Sequence, residues 1–214
     1  MEIANYGASI VISKFGTACI SIDEIQPFLN LKEDDKPETN LSNSLKNEIE
    51  IGYLKKRKHL SNKKDLSLVI KNSRKSGEKI VFTNGCFDVL HSGHVYLLEE
   101  ARKHGDCLIV AINSDESVKK LKGNGRPINT VLQRLKVLRA LQCVDYITIF
   151  DEDTPKNTIE FIKPDVLIKG SDYNLKEIVG ADIVKRNGGK VELVQIQENL
   201  STTLISKKLE YKRD

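Results

Sequence analysis

Two histidines three apart with a glycine between them, His91-Ser-Gly-His94, are the residues here best suited to chemistry. They follow the stretch Val81-Phe-Thr-Asn-Gly-Cys-Phe-Asp88. Imidazoles at such a point suit the phosphates of a nucleotide, since each can donate to an anionic oxygen. Gly93 lets a phosphate approach the backbone closely. Two other readings stay open: a metal pair at i, i+3 spacing, with Asp88 the best candidate for a third ligand, or one buried structural and one capping histidine. Asp88 lies between the glycine turn and the histidines, where it could bind Mg²⁺ or order the loop.

Further along, Lys122-Gly-x-Gly-Arg126-Pro127 is a cationic, glycine-containing segment. It is either a solvated loop or a mobile clamp that brings Lys122 and Arg126 onto triphosphate oxygens. Arg134 lies on the helix expected next. Lys169-Gly170-Ser-Asp172-Tyr173 and Ser201-Thr202-Thr203 complete the set. The three hydroxyl residues are first of all a helix N-cap, and capping is compatible with holding a phosphate.

The elements that must position these residues alternate from about Asp65 onward. Apolar runs predict strands at Lys79–Thr83, Cys107–Asn113, Tyr146–Phe150, Val166–Lys169 and Val191–Ile196. Amphipathic periodicity predicts helices at Leu66–Ser76, Gly93–His104, Asp115–Leu121, Thr130–Leu141, Pro155–Ile162, Ile178–Asn187 and Thr202–Tyr211. The pattern is α/β: a Rossmann-like parallel sheet with helices on both faces. Ligands of such sheets bind beyond the C-terminal strand ends, at a topological switch point. The first core strand is expected to break at Asn84-Gly85, a pair that tolerates positive φ. A helix then begins near the histidines, and its free N–H groups and dipole favour an anion. Neither a Walker sequence nor G-x-G-x-x-G occurs.

Residues 1–29 carry two short apolar runs, Ala8–Ile12 and Ala18–Ile22, split by Gly16-Thr17, and read as a hairpin. Residues 30–64 are polar and read as a linker, with a loose helix near Leu41 to Leu54. Residues 65–214 form the α/β domain.

Bulk properties narrow the partners. The 214 residues hold 34 Lys+Arg against 30 Asp+Glu, a net charge of +4. That excess is small and scattered, so nucleic acid is not expected as a partner. The one basic cluster, Lys55–Lys58, reads as a solvated linker. The four cysteines are widely spaced without CxxC, which argues against a zinc site or disulfide framework. With no signal peptide and no membrane-spanning apolar run, the expected setting is cytoplasmic.

Cys86-Phe-Asp88 with His91-Ser-Gly-His94 resembles the HxGH nucleotidyltransferases of the cytidylyltransferase-like family. The later motifs narrow the resemblance: Asn113-Ser-Asp115, Lys122-Gly123, Gly125-Arg126-Pro127, Arg134, Glu152–Pro155, Lys163-Pro-Asp165, Lys169-Gly-x-Asp172-Tyr173 and Ser201–Thr203, in that order. Together they look like the adenylyltransferase half of the bifunctional heptose kinase/adenylyltransferases, which make ADP-heptose for the lipopolysaccharide core. Tyr6 to Thr17 followed by Ile25 is similar to the last strands of the ribokinase-like partner half. Its Gly-Ala-Gly-Asp segment is missing, so no sugar kinase activity is expected. Two departures stand out: Asn199-Leu200 replaces the usual glycine before the hydroxyls, and Ser171 stands where glycine or aspartate often occurs.

The resemblance implies attack of D-glycero-β-D-manno-heptose 1-phosphate on the α-phosphorus of ATP, giving ADP-heptose and pyrophosphate, with Mg²⁺ as cofactor. It assigns catalysis to His91, His94, Lys122 and Arg126. It assigns nucleotide contacts to Thr83, Asn84, Gly85, Cys86, Phe87, Asp88, Gly93, Asn113, Asp115, Arg134, Lys169, Gly170, Asp172, Ser201, Thr202 and Thr203, with Asp88 also toward Mg²⁺. Partners would be ATP and a sugar 1-phosphate, with self-association or a separate heptose kinase chain as a further expectation. Two rivals remain: a cytidylyltransferase acting on glycerol 3-phosphate or a related phospho-alcohol, and a non-catalytic module that complements a kinase chain.

Overall fold

The structure is a computed structural model and describes residues 51, 55, 58–60, 62–171 and 177–195. The expected N-terminal hairpin and C-terminal helix lie outside the described residues, as do Asp172 and Ser201–Thr203. The chain divides into two compact units, Met1–Tyr53 and Leu54–Asp214. All that follows concerns the second.

Its elements run β1 (His59–Leu60), α1 (Lys63–Lys75), β2 (Ile80–Gly85), α2 (Ser92–Arg102), β3 (Cys107–Asn113), α3 (Asp115–Lys122), α4 (Val131–Ala140), β4 (Tyr146–Phe150), α5 (Lys156–Ile162), β5 (Val166–Gly170), α6 (Ala181–Arg186) and β6 (Lys190–Val194). The six strands form one parallel sheet in the order β1-β4-β3-β2-β5-β6. The fold is thus the expected α/β type. One element is new: β1 and the start of α1 fall in the stretch expected to be linker. Its two residues pair with Ile147 and Thr148, a tertiary contact with no local sequence signal.

Period-2 geometry divides the core between the two sheet faces. Val81, Leu108, Val110 and Ile112 pack with Leu97, Leu98 and Ala101 of α2 and Leu135 and Leu138 of α4. The residues alternating with them, Ile80, Phe82, Ile109 and Ala111, are also fully buried. A strand buried at every position, as β3 is, needs cover on both faces, which explains its unbroken apolar run.

Strand order reverses at β2, and the ladders record it. Pairing with β3 continues through Gly85↔Ile112. Pairing with β5 stops at Phe82↔Leu167. Beyond that rung two side chains bridge the strands: Thr83 Oγ1 donates to the Ile168 carbonyl at 3.0 Å, and Lys169 Nζ to the Asn84 carbonyl at 3.1 Å. Their C-terminal ends therefore part where a switch-point ligand would sit.

Candidate active site

The turn after β2 differs from the expectation in one respect. Asn84 and Gly85 stay in the strand, because Ala111 and Ile112 of β3 pair with them. The left-handed residue is Phe87, with φ of 47°. That conformation is uncommon for a bulky side chain. Gly85 serves the turn through its size: a Cβ there would lie 3.2 Å from the Phe87 ring.

Helix α2 opens at His91, whose side chain makes no capping hydrogen bond, and its first turn holds no acidic residue. Three other helices differ. Asn62 caps α1 and Ser114 caps α3, while Thr130 and Gln133 form a reciprocal capping box on α4. The first turn of α2 thus sets no acidic side chain of its own against the helix's positive end.

The two imidazoles stack, with ring centroids 3.9 Å apart and planes tilted by 35°. Both Nδ1 atoms are buried without a hydrogen-bond partner among the described residues. Burial, helped by His91 and Lys122, pushes His94 down to about 4. Burial and Lys122 also lower His91. Both rings are therefore neutral at pH 7, and each carries one N–H to donate. Lys122, exposed at the end of α3, is close enough to act on both electrostatically.

The other charged candidates are engaged within the protein. Asp88 has no exposed side-chain surface. Its Oδ2 accepts from Arg126 at 2.7 Å, and its Oδ1 from the Ile128 and Asn129 N–H groups at 2.7 and 3.0 Å. Burial would raise its pKa, but these donors hold the carboxyl below its ordinary value. Of the two roles open to Asp88, this geometry is that of ordering the 123–130 loop. A Mg²⁺ ion there would compete with three donors. Among the described residues no group of three His, Cys, Asp or Glu side chains could hold a metal ion.

Arg134 is equally internal. Its buried guanidinium donates to the Cys86 carbonyl at 2.6 Å, the Asn129 carbonyl at 3.1 Å and Asp115 Oδ1 at 2.8 Å. It ties the turn, the loop and the start of α3 together, so it and Asp115 brace the site. Asn113 does likewise, donating to Ser117 Oγ at 2.9 Å. Thr83 and Lys169 bridge β2 and β5, and Gly170 pairs with Val194 in the ladder. Cys86 is half-buried with its thiol pushed up by burial, and Gly93 is buried in the first turn of α2. The structure thus gathers Asn84–Asp88, His91, Gly93, His94 and Lys122 around one point, with a braced shell behind them. Sequence reasoning missed the amides of Ile128 and Asn129, which the Pro127-Ile-Asn-Thr130 run could have flagged as a turn.

A parallel sheet with its switch point under an uncapped helix start and paired imidazoles is the architecture of a nucleotide-binding α/β domain. A family model described as cytidylyltransferase-like matches residues 82–208. The chain belongs to this cytidylyltransferase-like family. Among curated proteins it is similar to the bifunctional protein HldE of Azotobacter vinelandii, 46% identical over 209 residues that cover 98% of this chain and 40% of that protein. The HldE of Ectopseudomonas mendocina is 46% identical over 212 residues, covering 99% and 40%. The chain thus spans about two fifths of the length of the curated relatives it matches. The crystal structure of the lipopolysaccharide core biosynthesis protein from Thermoplasma volcanium is 31% identical, covering 56% of this chain and 98% of that one with a TM-score of 0.47.

Proposed function

We propose that this chain transfers AMP from ATP to D-glycero-β-D-manno-heptose 1-phosphate, releasing pyrophosphate and giving ADP-heptose for lipopolysaccharide core synthesis in the cytoplasm. The observation that carries the reading is the pair of neutral, stacked imidazoles at an uncapped helix start beside the switch point. The likeness to HldE proteins over nearly the whole chain supports the heptose acceptor.

A sugar phosphate oxygen attacks the α-phosphorus, and the bond from that phosphorus to the bridging oxygen breaks as pyrophosphate leaves. The nucleophile is already an anion, so no general base is needed. The obstacle is repulsion and charge build-up, which positioned donors and cations relieve. His91 and His94 donate to the phosphate oxygens. A polyanion beside them raises both pKa values, so the rings gain charge as the substrate binds. Lys122 adds a cation from the end of α3. Arg126 serves by holding the loop through Asp88, and a clamp function would require it to leave that carboxylate. Magnesium enters with ATP as substrate, held by phosphate oxygens, as that ion commonly is.

The test is pyrophosphate release by the purified chain with Mg²⁺, heptose 1-phosphate and either ATP or CTP. Release with ATP is expected. Release with CTP alone would favour the second reading, which the family description itself supports: a cytidylyltransferase for glycerol 3-phosphate or a related phospho-alcohol. Silence from a folded protein with every acceptor would leave a binding module, and co-purification with a separate kinase chain would then be measured.

A further inference from the structure

A histidine that works on a ligand with one ring nitrogen is usually oriented through the other, by a carboxylate or a backbone carbonyl. His94 has no such support: its Nδ1 is buried without a hydrogen-bond partner among the described residues. Ring contacts hold it from two directions. His91 stacks at 3.9 Å, and the Phe87 ring lies 5.2 Å away with planes at 52°. His91 is itself a phosphate donor in the reaction above, and its Nδ1 is likewise unpartnered. Among the described residues the ring in contact with His94 that is not itself a phosphate donor is therefore that of Phe87.

The backbone is shaped for that contact. Phe87 is buried at 4% exposure, yet holds the left-handed φ of 47°. Such strain persists only where the surroundings over-determine it. Three features do so here. The Cys86 carbonyl on one side accepts from Arg134, and Asp88 on the other is fixed by three donors. Gly85 leaves the space that the ring occupies.

We propose that Phe87 is the positioning residue of this site: its ring, presented by the left-handed turn, fixes the orientation of the His94 imidazole toward the phosphate. This deepens the nucleotidyl-transfer reading and rests on it. Phe87 touches no reacting atom, and its effect passes through His94.

Three substitutions test it. Phe87→Leu keeps apolar volume and removes the ring. Phe87→Tyr keeps the ring. Gly85→Ala leaves Phe87 in the sequence but sets a Cβ 3.2 Å from its ring, so the ring must give by a few tenths of an ångström. Pyrophosphate release should show kcat reduced by about 100-fold in Phe87→Leu, and by a smaller factor of about tenfold in Gly85→Ala, with KM for ATP nearly unchanged, as expected for a misplaced catalytic group. Phe87→Tyr should restore most of it. Histidine NMR of the ligand-free protein gives a readout independent of turnover. In wild type, His94 should titrate well below the ordinary 6.5, and its ring protons should carry the Phe87 ring-current shift. Its titration is set by burial and by His91 and Lys122, the groups that act on it. In Phe87→Leu the shift should vanish and the titration should move upward as the ring is freed. Should Phe87→Leu fail to fold, Gly85→Ala carries both measurements.

Unchanged kcat in both variants, or His94 signals indistinguishable from wild type in a folded variant, would overturn the proposal. Lost activity with unmoved His94 signals would also overturn it, because the effect would then not pass through His94. If no nucleotide is turned over by wild type but the His94 signals still respond to Phe87, the ring contact stands and the nucleotidyl-transfer reading fails.

Discussion

Asp88 and Arg126 meet at 2.7 Å across 38 residues of chain, and the aspartate side chain is wholly out of solvent. A buried carboxylate is stable only with its donors in place. Here the cation and two backbone amides do that together, and the loop that carries Arg126 is held against the turn that carries Phe87.

Asp88→Asn keeps an acceptor for the amides and removes the ionic partner of Arg126. Urea unfolding should show a loss of roughly 3 kcal/mol. The Mg²⁺ dependence of pyrophosphate release should stay close to wild type. A rise of about tenfold or more in the half-saturating Mg²⁺ concentration would instead make Asp88 part of the metal site.

Arg134→Met removes three hydrogen bonds while keeping most of the side-chain volume. Asp115, Cys86 and Asn129 each lose a donor. The expected loss is about 3 kcal/mol in urea unfolding. A loss below roughly 1 kcal/mol would place Arg134 among ordinary surface cations.

Acid should act through His94 first. The folded pKa, about 4, lies below the ordinary 6.5, so the unfolded chain binds the extra proton between those values. Stability therefore falls as pH drops through that window. At pH 5 the contribution lost is on the order of 2 kcal/mol relative to pH 7.5. Asp88 is also depressed in the fold, so its contribution is present above the ordinary 3.8 and is lost only at lower pH. His94→Gln should flatten the stability profile between pH 7 and 5 and leave the steeper acid limb in place. Parallel profiles for wild type and variant would contradict the buried neutral imidazole.

His94→Ala and His91→Ala should each lower kcat about 100-fold with the fold retained, as for loss of a donor to a developing charge. A double variant no worse than either single one would show that the stacked rings act as a unit. An unchanged kcat in His94→Ala would remove that ring from the reaction.

The sequence revealed most where a signal was local. The β3 and β4 limits, Cys107–Asn113 and Tyr146–Phe150, coincide with largely apolar runs, because doubly covered strands are built mostly of apolar residues. The histidine pair, its helix start and the switch point were legible for the same reason. What was not legible depends on partners far along the chain. His59-Leu60 becomes a strand only because Ile147 and Thr148 lie beside it. Asn84-Gly85 would suit a left-handed turn, but pairing with β3 keeps it extended and passes that conformation to Phe87. Asp88, Arg126, Asp115 and Arg134 carry charges that a phosphate site could use, and only distances show that Asp88 pairs with Arg126 and Asp115 with Arg134.

The reach of Arg134 also bears on how the protein is made. Its guanidinium closes on a carbonyl 48 residues upstream. A ribosome adding 5–20 residues per second needs roughly 2–10 s to cover that interval. During that time the phosphate turn and both histidines have been synthesised without their brace. The turn therefore gains this brace only after α4 has been made, well after the histidines themselves.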